Sequence, residues 1–357
     1  MKKKLRVAQF GCGRMGSIVM KQLVDKAELV AAFDMAPALI GKDVGEHIGT
    51  GHMGLAISDG NEAEKILAEV KPDAMVVTTR SLMNDLKDIL MIAAKLGINT
   101  ITSCEEALYP IVSNPNVTKA IDEAAKKSGC TIAGSGAQEL QWGTLISTLA
   151  SGCNKITKIS GASSYNIDDY GMALAVAHGC DFTTEEFEEK IASTDNISDE
   201  ERQKLIDSGE FLPCFAWNGN AWLADKLGLH IKSISQRNVP KYAEEDLYST
   251  TMERTVKAGK VIGMGAVSTV ETEEGITIED ECIGIVYGKD DCDFNRWTIY
   301  GDPDVTLEIK NPPTVGLTCS TLVNRIPSVI NAKPGFVPTS QMPVAEFVVD
   351  SLADHVK

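Results

Sequence analysis

Two adjacent glutamates, Glu105 and Glu106, are the side chains in this sequence best suited to proton chemistry. They follow residues 99–103, a short run that is predicted to be a strand. A carboxylate at the end of such a strand can accept a proton from an ammonium group and later one from an attacking water. A second carboxylate raises the apparent titration of the pair toward neutrality. The pattern equally allows that both glutamates only stabilise a helix N-terminus through its dipole.

A glycine-rich turn near the start of the chain could hold the phosphates of a dinucleotide. It follows an apolar run and leads into a helical pattern, with three glycines spaced as GxGxxG. The first glycine takes the unusual backbone angles of the turn, the second leaves room for a pyrophosphate, and the third lets the helix pack on the strand. A purely structural turn is the alternative. The candidate cofactor-binding residues here are Gly11, Cys12, Gly13, Arg14, Met15 and Gly16.

Asp34 favours the dinucleotide interpretation. It ends a second apolar run, residues 29–33, and lies 18 residues after Gly16, about where such a unit places the acid that binds the adenosine ribose. A carboxylate there accepts hydrogen bonds from a 2′-hydroxyl and repels a 2′-phosphate, which predicts that NAD is preferred over NADP. Arg14 could offset part of that repulsion by binding the phosphate.

Thr78, Thr79 and Arg80 are predicted to border the nicotinamide half of the cofactor. They end a continuous apolar run that starts at residue 74 and is typical of a buried parallel strand. Open α/β sheets bind their ligands at the carboxyl ends of such strands. The alternative for the two threonines is to cap the following helix.

Two other chemistries have less support. Cys104 could be a nucleophile, but no histidine or basic neighbour is placed to activate it. His47 and His52 lie in a glycine-rich segment, residues 41–54, without a carboxylate at ligand spacing, so no metal site is predicted.

The composition excludes several classes of function. The 357 residues carry a formal net charge of −16, which argues against nucleic acid or an anionic membrane as the main partner. No stretch contains 18 consecutive apolar residues and the basic start is not followed by the apolar region of a signal peptide, so a cytoplasmic location is predicted. The nine cysteines are scattered without a CxxC pair, so neither a disulfide framework nor a zinc knuckle is expected.

The order of the predicted elements indicates an α/β fold class. Strands and helices alternate through residues 1–136, which predicts a Rossmann dinucleotide-binding domain. Residues 137–311 are rich in strand patterns joined as hairpins, which predicts an α+β substrate-binding and dimerisation domain with an open, mostly antiparallel sheet. A helix at 317–330, interrupted by Pro327, is predicted to cross back, so that residues 312–357 complete the first domain.

Candidate substrate residues lie in the second predicted domain. Trp142 follows the Gly-Ser-Gly turn closely and could form a wall of the substrate pocket. Asp168 and Asp169 could receive a second ammonium group of the substrate, although a solvated acidic turn is the alternative. His178 is a further candidate substrate residue. One group of large aromatic side chains is predicted to belong to a core rather than a pocket, and it comprises Phe211, Phe215, Trp217 and Trp222.

Five segments carry a resemblance to a known family, and they are GCGRMG at 11–16, GKDVGEHIG at 41–49, KPDAMVVTT at 71–79, TSCEEALYP at 102–110 and NRIPSVINAKPGF at 324–336. They resemble the dihydrodipicolinate-reductase-like oxidoreductases, and within them 2,4-diaminopentanoate dehydrogenase and its relatives, the native NAD(P)-dependent amine dehydrogenases. The resemblance implies that Glu105 is the catalytic carboxylate and that Glu106 supports it. The chain departs from the family pattern at 137–142 and 166–171, which leaves the substrate open.

Three functions remain in consideration. The first is NAD(P)-dependent oxidative deamination of a small amine, amino acid or diamino acid with release of ammonia, or the reverse reductive amination. A cyclic imine or enamine reductase of the dihydrodipicolinate reductase type would need a basic anion-binding cluster in the second domain, and the sequence shows none. A non-catalytic NAD(P)-sensing regulator would not need Glu105. Because relatives of this architecture pair through the open sheet, a homodimer is predicted.

Overall fold

The computed structural model describes residues 4–195 and 197–357. Internal contacts divide the chain into two compact units. The first unit consists of the residues up to Leu140 together with Ile206–Phe211 and Pro313–Lys357, and the second consists of Gln141–Leu205 and Leu212–Pro312. The first unit is therefore assembled from three separate stretches of the chain.

The strands, in chain order, are β1 (Arg6–Phe10), β2 (Glu28–Asp34), β3 (Ile57–Asp59), β4 (Ala74–Val77), β5 (Asn99–Thr102), β6 (Thr131–Gly134), β7 (Lys155–Asn166), β8 (Ile231–Tyr242), β9 (Leu247–Ser249), β10 (Arg254–Val256), β11 (Val261–Thr272), β12 (Thr277–Ile285), β13 (Phe294–Asp302), β14 (Val305–Lys310) and β15 (Gly335–Phe336).

The α-helices, in the same order, are α1 (Arg14–Lys26), α2 (Val44–Ile48), α3 (Ala63–Val70), α4 (Met83–Leu96), α5 (Pro115–Ser128), α6 (Leu145–Ala150), α7 (Met172–Ala177), α8 (Thr184–Lys190), α9 (Asp199–Ser208), α10 (Phe215–Leu227) and α11 (Thr314–Asn331). Glycine ends several of them as the sequence predicts. Gly97, for example, follows α4 with a φ of 72°, a backbone angle that costs glycine little.

The first unit contains a parallel sheet with the strand order β15-β6-β5-β4-β1-β2-β3. Apolar side chains from both faces of this sheet pack against helices, as in a doubly wound fold. The strand order reverses next to β1, so the carboxyl ends of β1 and β4 border the crevice where such sheets bind ligands. This sheet confirms the predicted α/β class and Rossmann architecture.

Helix α11 and strand β15 return to the first unit from the end of the chain. The predicted interruption of α11 at Pro327 is wrong, because the helix continues through it to Asn331. Proline removes one backbone hydrogen bond from the helix, but Ile326, Pro327 and Val329 are buried, and this packing holds the helix together across the missing bond.

A buried ion pair joins α11 to the segment after β6. Arg325 Nε donates to Glu139 Oε1 at 2.9 Å, and Arg325 Nη2 bonds the same oxygen. Ser135 Oγ donates to Glu139 Oε2 at 2.5 Å, and Arg325 Nη1 donates to Pro343 O. Both charged side chains are almost completely buried, so each satisfies the other where water has no access.

The second unit contains a six-stranded sheet with the order β14-β13-β7-β12-β11-β8. Only β7 and β12 pair in parallel, and the other four pairs are antiparallel, which confirms a mostly antiparallel sheet. The long helix α10 packs on β8, β11 and β12. The opposite face of the sheet carries ion pairs. Lys158–Glu279 and Arg296–Glu308 join neighbouring strands, whereas Arg237–Glu279 and Lys241–Glu281 reach from β8 across β11 to β12.

The aromatic residues predicted to form a core do so with one exception. Trp217 and Trp222 on α10 are buried in the second unit, and Phe211 is buried in the first. Phe215 is wrong as a core residue, because it stands in the first turn of α10 with 44% of its surface exposed.

All nine cysteines are free thiols, and six of them are buried. Among the described residues, none of the helices combines the length and apolarity that crossing a bilayer requires.

Candidate active site

The glycine-rich turn has the geometry that a dinucleotide-binding turn needs. Gly11 has a φ of 89°, and its N–H donates to Phe33 O at 2.8 Å. A Cβ at Gly16 would lie 1.9 Å from Gly11 O, so only glycine fits where α1 leaves the turn. A Cβ at Gly13 would meet no atom within 4 Å, which leaves open the space that a pyrophosphate would take.

The start of α1 offers a site for an anion. Gly13 is the N-cap, and because glycine has no side chain it cannot cap the first turn. The first N–H groups of the helix therefore lack partners within it and carry partial positive charge. Arg14 is exposed next to them. These residues fit the phosphates of a nicotinamide dinucleotide.

Asp34 is held beside the glycine-rich turn by two backbone groups. Cys12 N–H donates to its Oδ2 at 2.6 Å, and Ala36 N–H donates to its Oδ1 at 2.8 Å. Each oxygen keeps a lone pair that could accept a hydrogen bond from a ribose hydroxyl. Burial, together with the charge of Asp34, raises the pKa of the Cys12 thiol to about 12, so Cys12 contributes packing and its N–H rather than a reactive sulfur.

His47 is a member of this site that the sequence did not indicate. Its Nε2 lies 2.8 Å from Cys12 O and 3.0 Å from Ser17 Oγ. Ser17 Oγ in turn donates to Gly13 O at 2.8 Å. Helix α2, which carries His47, therefore supports the turn from outside. The only sequence signal was the resemblance of residues 41–49 to the family pattern.

The sequence pattern showed no carboxylate at ligand spacing, but in the structure two carboxylates lie near His52. His52 Nδ1 is 3.0 Å from Glu46 Oε1 and 3.5 Å from Asp43 Oδ2. Asp43, however, is the N-cap of α2, and hydrogen bonds from Met53 N–H and other backbone N–H groups lower its pKa to about 2. Its carboxylate closes the loop, and the backbone groups that it binds are those of Glu46, Met53, Gly54 and Leu55.

Thr78 ties the end of β4 to the glycine-rich turn. Its Oγ1 donates to Gly11 O at 3.0 Å. The alternative in which Thr78 or Thr79 caps a helix is wrong, because α4 begins five residues later and has Leu82 at its N-cap. Thr79 and Arg80 are exposed and available to a ligand.

Glu105 follows β5 at the carboxyl edge of the sheet and has a carboxylate oxygen without a partner. Oε2 is buried and forms no hydrogen bond within the described residues. Burial raises the pKa of Glu105, and a hydrogen bond from the Ser81 side chain opposes this shift only in part. A buried carboxylate with one free oxygen and a raised pKa has the properties of a general base near neutral pH.

Glu106 faces different surroundings and has both oxygens occupied. Met83 N–H donates to Oε2 at 2.6 Å, and Ser113 Oγ donates to Oε1 at 2.7 Å. Burial raises its pKa, and the nearby charge that adds to the shift is Asp85 rather than Glu105. The expected coupled titration of the two glutamates is therefore wrong. Glu106 instead accepts a hydrogen bond from an N–H group of the first turn of α4. It therefore stabilises a helix N-terminus, as the alternative interpretation held, but the helix is α4, which precedes Glu106 in the chain.

Cys104 does not have the surroundings of a nucleophile. Its Sγ is buried and donates to Ser81 O at 3.0 Å. Burial raises the pKa of the thiol, so it remains protonated at neutral pH. Ser81 O also accepts the N–H of Glu106 at 3.1 Å, and these two bonds fix the strand end that carries Glu105.

The predicted substrate residues of the second unit differ in their exposure and in their hydrogen bonds. Trp142 is half-buried in a π-helical turn, Glu139–Thr144. Asp168 is partly exposed, and the chain itself holds its carboxylate, since Ser249 Oγ donates to its Oδ1 at 2.6 Å and Thr250 N–H to its Oδ2 at 2.7 Å. Asp169 is exposed.

His178 is paired with a tyrosine. Its Nδ1 lies 3.0 Å from Leu174 O and its Nε2 lies 2.6 Å from Tyr165 Oη. Since a carbonyl only accepts, Nδ1 donates to it, and Tyr165 donates to Nε2 of the neutral ring. Burial lowers the pKa of His178, which keeps the ring neutral near pH 7.

Family comparisons match both parts of the chain. Residues 140–357 match the 2,4-diaminopentanoate dehydrogenase C-terminal domain. Residues 5–134 match the dihydrodipicolinate reductase N-terminus.

Individual relatives agree with these matches. An amine dehydrogenase structure from Mycobacterium smegmatis is 33% identical, with a TM-score of 0.80 over 97% of this chain and 98% of that one. The 2,4-diaminopentanoate dehydrogenase of Acetoanaerobium sticklandii is 24% identical over 99% of this chain and 97% of its own length. The 4-hydroxy-tetrahydrodipicolinate reductase of Methanosarcina barkeri is 31% identical, but the match covers only 49% of this chain and 59% of the reductase.

Proposed function

The chain belongs to the 2,4-diaminopentanoate dehydrogenase family and is an NAD(P)-dependent amine dehydrogenase, and from this premise we propose that Glu105 is the base with which it deaminates a small amine, amino acid or diamino acid. The observation that carries the proposal is the buried, unpartnered Oε2 of Glu105 at the carboxyl edge of the sheet. Among the acids at this edge, Glu106 and Asp34 already bind backbone N–H groups, whereas Glu105 keeps one oxygen free.

The proposed reaction needs several proton transfers at one place. An alkylammonium substrate must lose a proton before its carbon can release a hydride, and water must lose one when it attacks the resulting iminium carbon. A nicotinamide dinucleotide supplies the hydride acceptor when it is bound. Glu105 Oε2 takes the ammonium proton, releases it to solvent, and then takes a proton from the attacking water. It returns that proton to the carbinolamine nitrogen and takes the hydroxyl proton, so that ammonia leaves and a carbonyl product forms. The Ser81 side chain favours the charged form of the Glu105 carboxylate.

The reductase alternative has less support. Matches to 4-hydroxy-tetrahydrodipicolinate reductases cover at most about half of this chain, whereas the matches to amine-oxidising relatives extend over nearly all of it. The N-terminal match supports cofactor binding, which both activities share.

A substrate scan tests the proposed function. Purified protein is given NAD⁺ or NADP⁺ with primary amines, amino acids and diamino acids, and reduction of the nicotinamide is followed by its absorbance. We expect turnover with a subset of the amines, together with release of one ammonia per reduced cofactor. Reduced cofactor without ammonia, or turnover only with cyclic imines in the reductive direction, would contradict the proposal.

We predict that NAD is preferred over NADP because the fixed carboxylate of Asp34 accepts hydrogen bonds from a 2′-hydroxyl and repels a 2′-phosphate. The change Asp34→Ser removes the charge and keeps a hydrogen-bonding group. The ratio of kcat/KM for NAD to that for NADP should fall at least tenfold, as expected for the loss of about 1.4 kcal/mol of discrimination. Asp59→Ser, on the neighbouring strand β3, serves as the charge-matched control. An unchanged ratio in Asp34→Ser would show that Asp34 does not contact the ribose.

We also propose a homodimer formed through the sheet face that carries the Lys158–Glu279 and Arg237–Glu279 ion pairs. Light scattering at micromolar concentration should give twice the chain mass of 38.4 kDa. Glu279→Lys places a cation between Lys158 and Arg237 and should shift the mass toward the monomer at low salt. A monomer mass for the wild type would exclude the proposal.

A further inference from the structure

The face of the second sheet that lies under α10 contains a row with buried polar side chains. Ser268 on β11 is directly opposite Asp280 on β12, Asp280 pairs with Gly161 on β7, and Gly161 pairs with Trp297 on β13. Directly paired residues of neighbouring strands point to the same face of the sheet. The four residues therefore form one row, and all four are buried.

The two adjoining rows on the same face differ: one also contains the buried polar residues Ser163 and Asn295, and the other is wholly apolar. In the apolar row, two positions along each strand, the paired residues are Val270, Ile278, Ile159 and Ile299, all of them buried. An aspartate beside such a row loses its hydration, and a buried charge normally requires a partner.

Asp280 has no such partner within the described residues. It is 0% exposed, and neither Oδ1 nor Oδ2 accepts a hydrogen bond. The N–H of Glu281 lies near the carboxylate and favours its charged form, but without the geometry of a hydrogen bond. Among residues 4–195 and 197–357, no lysine, arginine or histidine forms an ion pair with Asp280.

Two further acceptors near Asp280 are also unused. Asn220 on α10 donates through Nδ2 to Ser268 O at 3.0 Å, which places its amide beside the row. Asn220 Oδ1 and Ser268 Oγ are both buried and without a hydrogen-bond partner. The carboxylate, the amide oxygen and the hydroxyl together supply four oxygen atoms.

The surroundings limit the size of what these oxygens could bind. A Cβ at Gly161 would lie 2.6 Å from Asp280 Oδ1 and 2.7 Å from the Trp297 ring. An organic amine with carbon substituents needs more space than a packed row of this kind offers. A small cation that is coordinated by four or more oxygen atoms fits this space better.

We propose that Asp280, Ser268 and Asn220 form a binding site for a small monovalent cation, of the size of ammonium or potassium, in the core of the second unit. The cation neutralises the Asp280 carboxylate and occupies the unpaired oxygens of Asn220 and Ser268. The proposal goes beyond the proposed deamination, and the site needs neither a cofactor nor turnover. Ammonium and potassium share this chemistry, and the experiment below separates them.

The cysteines, tyrosine and histidine near Asp280 stay neutral around pH 7. The charged groups are Glu281, next to Asp280 on β12, and Asp195, which forms an ion pair with Arg202. Burial raises the pKa of Cys282, on the same strand and face, and of Cys214, at the start of α10, to about 12 each. Burial also raises the pKa of Tyr165 and lowers that of His178. Asp280 itself has its pKa raised to about 7 by burial, with the charge of Glu281 adding to the shift. Cation binding should therefore strengthen as the pH rises through 7.

The test is thermal unfolding of the protein at pH 6 and pH 8 in tetramethylammonium chloride, which cannot enter the site. Ammonium, potassium or sodium chloride then replaces it at constant ionic strength. We expect ammonium or potassium to raise the midpoint at pH 8 by about 3–5 °C at ten times its dissociation constant, with saturation, and to have little effect at pH 6. The relative midpoints with the three ions identify the cation.

Three variants make the test specific. Asp280→Asn should abolish the cation effect, and because it removes an uncompensated buried charge it should unfold at a higher temperature than the wild type at pH 8 without cation. Ser268→Ala should raise the half-saturating concentration about fivefold, the worth of one lost ligand. Asp290→Asn, which removes an exposed charge in the same unit, should respond like the wild type.

Two outcomes would overturn the proposal. One is an equal response to all salts, tetramethylammonium included, which indicates general screening. The other is an ion effect that persists in Asp280→Asn. Because the readout is unfolding without substrate, neither outcome depends on whether the deamination proposal is correct.

Discussion

Replacing Glu105 with glutamine is expected to lower kcat for amine oxidation by about 10²–10⁴, the usual worth of a positioned general base. The amide keeps the size of the side chain and can still accept a hydrogen bond from the Ser81 hydroxyl, but it cannot take a proton at the position of Oε2. Cofactor affinity, measured by nicotinamide fluorescence, should change little, because the glycine-rich turn and Asp34 are untouched. The loss should therefore appear in kcat rather than in binding.

The pH dependence supplies a second readout. Because burial raises the pKa of Glu105, its folded-state pKa lies above the ordinary value for glutamate. The wild-type rate should fall as the pH drops through that raised pKa, since the protonated acid cannot act as a base. In Glu105→Gln this acidic limb should be absent from whatever activity remains.

Glu106→Gln is the matched control. Its carboxylate binds Met83 N–H and Ser113 Oγ, and an amide can serve both with its oxygen and its NH₂ group. We expect a modest loss of stability and a kcat within about tenfold of the wild type. If Glu106→Gln were inactive while Glu105→Gln kept nearly full turnover, the two roles would be reversed. If both stayed active, the amine mechanism would lose its base.

Replacing Arg325 with methionine is expected to have the largest effect on stability, a loss of about 3–5 kcal/mol in the free energy of unfolding. The change leaves the Glu139 carboxylate buried with only Ser135 as a partner and also removes a donor from Pro343 O. Thermal unfolding should shift downward by about 10 °C. Circular dichroism or calorimetry measures this shift.

Two controls separate a buried ion pair from other causes. Arg296→Met breaks the exposed pair with Glu308 and should cost at most about 1 kcal/mol. The double change Glu139→Gln with Arg325→Met removes both charges and should recover a large part of the loss. If Arg325→Met were no worse than Arg296→Met, the pair would contribute no net stability and its contacts would serve only to orient α11.

Local sequence patterns were sufficient for much of the nucleotide-binding unit. The spacing of Gly11, Gly13 and Gly16, the apolar run that ends at Thr78, and Gly97 after α4 each report a backbone requirement within a few residues. Such requirements can be read from the chain because they depend on neighbours in sequence. Pro327 misled the prediction for α11, since burial on the tertiary level outweighed its local cost.

Which polar side chains have hydrogen-bond partners could not be predicted from the sequence in the same way. Glu105 and Glu106 are adjacent in sequence, yet one keeps a free oxygen while the other binds Met83 and Ser113. Asp168 and Asp280 are both acids of the second unit, and only the first is satisfied by the chain.

The sequence by itself determined the fold class, the glycine-rich turn and the pair of glutamates that contains the proposed base. Only the tertiary structure decided which glutamate is free, that His47 supports the turn, that Glu139 meets Arg325, and that Asp280 lies unpaired in a core. The physical reason is that turns and strands depend on the conformations open to a few consecutive residues. The hydrogen bonds and burial that set the chemistry of a carboxylate come instead from segments that lie far apart along the chain.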